Sequence, residues 1–221
     1  MLLLPSLTVL IGIISLLLAL SSWGDEYEYG TARVVLSRCP ARGQFLLGKT
    51  VALAIAIAVI IVIAVAAELL VAILSHLVQV GQTGLVEHLN SLARVILPIM
   101  GVWWLAGMVH TGVVTLAVVG GQSPTLGMAA GLGLFLGDLL LSGLGLPGSG
   151  RYGNYTIVNN SYGLINSVLG DLFNPGSNTI VSGMAAATLP EPGQALGRLA
   201  LYAAGTLVLA YLLFQRRDLH T

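Results

Sequence analysis

Apolar residues in this chain collect in long unbroken runs. The runs Leu2 to Leu20, Leu46 to Leu74, Val95 to Val119, Leu126 to Leu146 and Leu199 to Phe214 carry few or no charges. About 20 apolar helical residues cross the ~30 Å hydrocarbon core of a bilayer, where a helix satisfies its own backbone N–H and C=O groups. The pattern predicts an all-α, polytopic transmembrane bundle, a single domain over residues 1–221 with spans at about 2–21, 46–74, 95–119, 126–146 and 199–214. The first run has no basic start, and Trp23-Gly24-Asp25-Glu26 makes a poor cleavage site, so it reads as a retained span.

Composition agrees. Hydrophobic residues make up 56% and charged residues 8%, against about 25% charged in a soluble domain. Twenty-eight glycines suit helices that approach closely in lipid. The nine basic and nine acidic residues cancel, so no basic surface points to a nucleic-acid partner. One cysteine, Cys39, excludes an internal disulfide or a cysteine metal cluster. His76, Glu87 and His88 are too scattered for a metal site, and no cofactor is indicated. Neither a pair of intramembrane carboxylates nor a His-Glu-x-x-His arrangement is present, which argues against a membrane-embedded enzyme.

Charge position sets the expected topology. The segment between the first two spans, from residue 24 to 45 and on to Lys49, carries Asp25, Glu26, Glu28, Arg33, Arg38, Arg42 and Lys49, and the positive-inside rule places it in the cytoplasm. Alternation then puts the amino terminus and the 147–198 segment outside and the Arg216-Arg217-Asp218 tail inside, with six basic residues inside and three outside. The outer segment is too long for a simple turn. Its residues Gly163 to Phe173 and Ile180 to Leu189 read as two short interfacial or re-entrant helices around the Asn174-Pro175-Gly176 turn. Asn154-Tyr155-Thr156 and Asn159-Asn160-Ser161 match glycosylation sequons, relevant only to a eukaryotic source.

The cytoplasmic segment from Asp25 to Leu36 is helical in character, with acids early and arginines late, and Pro40 breaks it. Its run Glu26-Tyr27-Glu28-Tyr29-Gly30-Thr31-Ala32-Arg33-Val34-Val35-Leu36-Ser37-Arg38-Cys39-Pro40-Ala41-Arg42, closing with Phe45-Leu46-Leu47-Gly48-Lys49, resembles the cytoplasmic loop of ABC transporter permeases of the type-2, exporter-like class. The ending Phe214-Gln215-Arg216-Arg217-Asp218-Leu219 and the long outer segment are also similar to that family. The resemblance implies a permease subunit that pairs with a second permease subunit and with cytoplasmic nucleotide-binding subunits, which hydrolyse the ATP, in a prokaryotic plasma (inner) membrane. It further implies that Glu26, Glu28, Gly30, Thr31, Arg33 and Arg42 lie at the ATPase interface. The family's usual first interfacial helix and one further span are missing from this sequence. That departure keeps a second expectation open, a non-transporting accessory or scaffold subunit of a larger membrane complex.

Gly43-Gln44-Phe45-Leu46-Leu47-Gly48-Lys49-Thr50 satisfies the letters of a phosphate-binding P-loop. A working P-loop joins a buried strand to a helix on a sheet, whereas this stretch leads into a membrane span. Within the spans, Asp138 and His110 stand out, since an ionised carboxylate at mid-membrane costs about 2.5 kcal/mol or more unless paired. At 100° per residue Gly127, Gly131, Leu134, Asp138, Ser142 and Gly145 share a face, predicted to pack on protein, with Leu132, Leu136 and Leu139 opposite. Counting from the turn between the third and fourth spans puts His110 and Asp138 within ~6 Å in depth, so a hydrogen bond between them is expected, as interhelical glue or as a proton or substrate contact.

Overall fold

A computed structural model describes residues 4–29, 42–79, 85–143, 152–173 and 190–216. Among the described residues six α-helices follow one another: α1 (Leu4–Glu28), α2 (Arg42–Gln79), α3 (Leu85–Gly121), α4 (Pro124–Gly143), α5 (Ile157–Phe173) and α6 (Pro192–Arg216), with a 3₁₀ turn at Gly153–Tyr155 before α5. No strand occurs among the described residues. All helices except α5 are long and apolar enough to cross a membrane, over Leu7–Gly24, Gly43–Leu74, Val95–Gly121, Pro124–Ser142 and Pro192–Arg216. The last of these begins seven residues earlier than the apolar run in the sequence, because Pro192 opens α6 and Glu191 O accepts the Ala195 N–H at 2.9 Å.

Helix α3 is the axis, packed against each of the other five helices. Within its spanning window 72% of the residues are buried, against 17% for α2 and α6. Its small residues explain the close approach. A Cβ on Gly107 would sit 2.7 Å from Ser15 Oγ of α1, and one on Gly112 would overlap Thr206 Oγ1 of α6. Trp103 Nε1 donates to Thr8 Oγ1 of α1 at 3.0 Å, and Trp104 Nε1 donates to the Ala54 carbonyl of α2 at 3.0 Å.

Helices α3 and α4 form a hairpin through Gln122 and Ser123. Gln122 adopts φ 50°, and Ser123 O accepts the Gly127 N–H at 3.3 Å, starting α4 at once. Of the predicted packing face of α4, Gly127, Gly131 and Asp138 are buried and Leu134 and Ser142 half-buried, whereas Leu132, Leu136 and Leu139 are exposed; Gly145 lies outside the described residues, and Phe135, not expected on that face, is buried beside it. A Cβ on Gly127 would overlap Val118 Cγ2, and one on Gly131 would lie 2.8 Å from Val114 Cγ2 and 3.0 Å from Leu16 Cδ1.

The exposed side chains of α2, α4 and α6 are largely Leu, Ile and Val, a surface suited to lipid and unsuited to water. The segment between α4 and α6 does more than lie at an interface. Helix α5 begins six residues earlier than expected, and the ten residues Thr156 to Ile165 are all buried against neighbouring helices. The helix expected over Ile180 to Leu189 falls outside the described residues.

Candidate coupling site and the buried polar centres

The segment between α1 and α2 enters and leaves the bundle at one place. Helix α1 continues without a break to Glu28, so the acids at the start of the expected loop helix belong to the last turn of α1, just beyond its spanning stretch Leu7–Gly24. Glu26 lies two residues before that end, and Arg42 is the first residue of α2. Gly30, Thr31 and Arg33 fall outside the described residues.

Glu26 and Lys49 close the gap between the two helices. Lys49 Nζ is 2.5 Å from Glu26 Oε2, and its side chain is only 10% exposed. A lysine at a membrane edge ordinarily extends its ammonium to water. Here the ammonium lies 4.2 Å from the Trp23 ring centroid and 5.7 Å from that of Phe45, within reach of the negative ring faces. Phe45 stacks on Phe214 of α6 at 6.3 Å and 20°, and Trp23 meets both rings edge-on at 6.4 Å. Trp23 is 1% exposed and Phe214 6%. Three helices therefore meet around one cation.

The first turn of α2 is fastened to α6 a second time. A Cβ on Gly43 would lie 2.6 Å from Tyr211 Oη, so the glycine leaves room for the phenol where it now stands, and Gln215 Nε2 donates to that oxygen at 2.7 Å. The P-loop lettering is thereby accounted for in other terms. Gly43 makes room for Tyr211, Lys49 pairs with Glu26, and Thr50 Oγ1 donates to Leu46 O at 2.9 Å, all within one continuous helix.

The intramembrane pair is arranged otherwise than its depth suggested. Asp138 Oδ1 accepts the Ile157 N–H at 2.6 Å and Oδ2 accepts the Val158 N–H at 2.9 Å. The carboxyl group thus caps the first turn of α5, where two otherwise orphaned N–H groups and the positive end of the helix dipole favour it. Asp138 is five residues from the end of α4, which sets the α5 tip about 8 Å into the bundle at 1.5 Å per residue. His110 does not join it. Its Nδ1 bonds Ala106 O at 2.9 Å within α3, its ring lies 6.1 Å from that of Phe135, and Nε2 has no hydrogen-bond partner among the described residues.

Further contacts, which residue spacing does not reveal, hold the α5 tip. Arg198 of α6 donates to Asn154 O at 2.6 Å and lies 5.0 Å from the Tyr155 ring. Thr156 Oγ1 accepts the Asn159 N–H at 3.2 Å as a helix cap, and Asn160 Nδ2 donates to Thr156 O at 2.6 Å. Asn159 is 6% exposed and its Nδ2 donates to Gly153 O at 3.0 Å, so the second sequon is closed to glycosylation in the folded chain. Among the described residues no cluster of three or more His, Cys, Asp or Glu side chains offers a metal site.

A helical bundle with five membrane-length apolar helices, a lipid-suited surface and an embedded half-helix defines a polytopic integral membrane protein. The sequence pattern of the ABC-2 family transporter proteins matches residues 5–219, nearly the whole chain. The chain belongs to that family and is an ABC transporter permease. Searches of curated proteins and of solved structures return no match.

Proposed function

We propose that the chain is the membrane half of an ATP-driven transporter, with ATP hydrolysed by separate nucleotide-binding subunits docked on the α1–α2 segment. The single observation that carries this reading is the convergence of Trp23, Glu26, Phe45 and Lys49 at the base of that segment. A force applied between residues 29 and 42 enters two spans at a point where they are already fastened together. A plain connector needs no such fastening.

In this reading the α1–α2 segment and the carboxyl terminus face the cytoplasm, the amino terminus and the segment containing α5 face outward, and the membrane is the plasma (inner) membrane of a prokaryote. The excess of basic residues on the α1–α2 side supports that orientation. Glu26, Glu28, Gly30, Thr31, Arg33 and Arg42 supply the docking surface, and a second permease subunit completes the membrane part.

Gentle solubilisation followed by copurification tests the proposal. A nucleotide-binding protein should accompany the native chain and be lost from the Glu28→Lys, Arg33→Glu double variant. Isolation in a stoichiometric membrane complex containing no nucleotide-binding subunit would favour the accessory reading instead.

A further inference from the structure

We propose that Lys49 is a positioning residue that makes the ends of α1, α2 and α6 one mechanical body, so that displacement of the α1–α2 segment reaches α6 as well as its own two helices. The inference rests on the coupling reading above and assigns a residue through which the force travels.

The geometry supports it in three steps. Glu26 and Lys49 bracket the segment, so their ion pair closes it into a short-based loop whose two stems cannot separate without breaking that pair. Breaking a largely buried ion pair is strongly disfavoured. The same ammonium lies over Trp23 of α1 and faces Phe45 of α2, which orders both rings. Phe45 then stacks on Phe214, and Tyr211 occupies the space left by Gly43, so the α2 stem meets α6 at two points, four and six residues before Lys49.

An α1–α2 pair without this joint would respond to a partner by scissoring, each stem moving by itself. With it, the three ends tilt together against α3.

The test uses the full-length chain in lipid nanodiscs, with spin labels at Gln44→Cys and Leu212→Cys in a Cys39→Ser background. Both positions are exposed, Gln44 on α2 beside Phe45 and Leu212 on α6 two residues before Phe214. The native Lys49 and the charge-retaining Lys49→Arg should give a narrow distance distribution. Lys49→Met should broaden it, with the fraction at the native distance falling about tenfold, a loss expected from breaking a largely buried pair. Should Lys49→Met fail to accumulate, the neutral double variant Glu26→Gln, Lys49→Met removes the stranded carboxyl and should accumulate with the same broadening.

A functional measurement separates this joint from simple stability. Lys49→Met should retain the nucleotide-binding subunit on copurification yet lose the permease-dependent change in its ATP hydrolysis, with Lys49→Arg restoring it. An unchanged distance distribution in both neutral variants overturns the joint. Absence of any nucleotide-binding subunit from the native chain overturns the coupling reading alone, because the distance measurement needs no partner.

Discussion

Asp138 on α4 reaches across to Val158 on α5, twenty positions away in sequence, and binds its backbone N–H at 2.9 Å while its other oxygen binds that of Ile157. One side chain therefore decides where a half-helix begins. Helix α5 has no hydrophobic run long enough to cross the membrane, so its depth is set by what holds its tip. Asp138 supplies that hold from α4 and Arg198 from α6.

Asp138→Leu should release the α5 tip. It removes two charge-assisted bonds and leaves two buried N–H groups without acceptors, a loss of about 2–4 kcal/mol. Amide hydrogen exchange over Ile157 to Ser161 is expected to rise at least about tenfold, with exchange in α2 unchanged. Asp138→Asn retains one acceptor oxygen and should fall between. Equal exchange in all three proteins would show that Asp138 does not fix α5.

His110→Leu should be tolerated much better than Asp138→Leu. It forfeits one intrahelical bond to Ala106, worth about 0.5–1.5 kcal/mol, but also removes a buried Nε2 that has no hydrogen-bond partner among the described residues. Thermal unfolding in one detergent compares the two variants. A larger loss for His110→Leu would mean that His110 serves a partner outside the described contacts.

The small residues of α4 differ by face, and substitution should expose the difference. Gly131→Leu drives a side chain into Val114 and Leu16, an overpacking that costs about 1–3 kcal/mol. A Cβ on Gly133, two positions on, meets nothing within 4 Å. Gly133→Ala should leave the unfolding midpoint of the isolated chain unchanged or slightly higher, whereas Gly131→Leu should lower it. Equal effects would remove the inward orientation of that face.

Much of this architecture is legible in the residues because lipid leaves few choices. An apolar run of sufficient length must be a helix, and the glycines on the Asp138 side of α4 must face protein. The α1–α2 segment is legible by its charges and its resemblance to a permease loop. Other features depend on contacts that spacing does not encode. Sequence counting placed His110 and Asp138 at similar depth, but depth leaves the azimuth of each helix free, and it overlooked the backbone donors that α5 brings into the bundle. Nothing in the pattern of Lys49 shows that its ammonium turns inward, since a lysine at that position on an isolated span would extend to water. The rings that face it, Trp23 and Phe45, lie on two helices, and Phe214, which stacks on Phe45, lies on a third.

The central claim is that the α1–α2 segment is the cytoplasmic contact for an ATP-hydrolysing partner, and the chain's single cysteine, Cys39, lies within it. Labelling of Cys39 by a membrane-impermeant maleimide measures this directly in sealed vesicles of known orientation. Cys39 should react in inverted vesicles stripped of peripheral subunits, be protected when nucleotide-binding subunits are retained, and stay unlabelled in right-side-out vesicles. Reaction confined to right-side-out vesicles, or reaction in inverted vesicles that is indifferent to those subunits, would contradict the account.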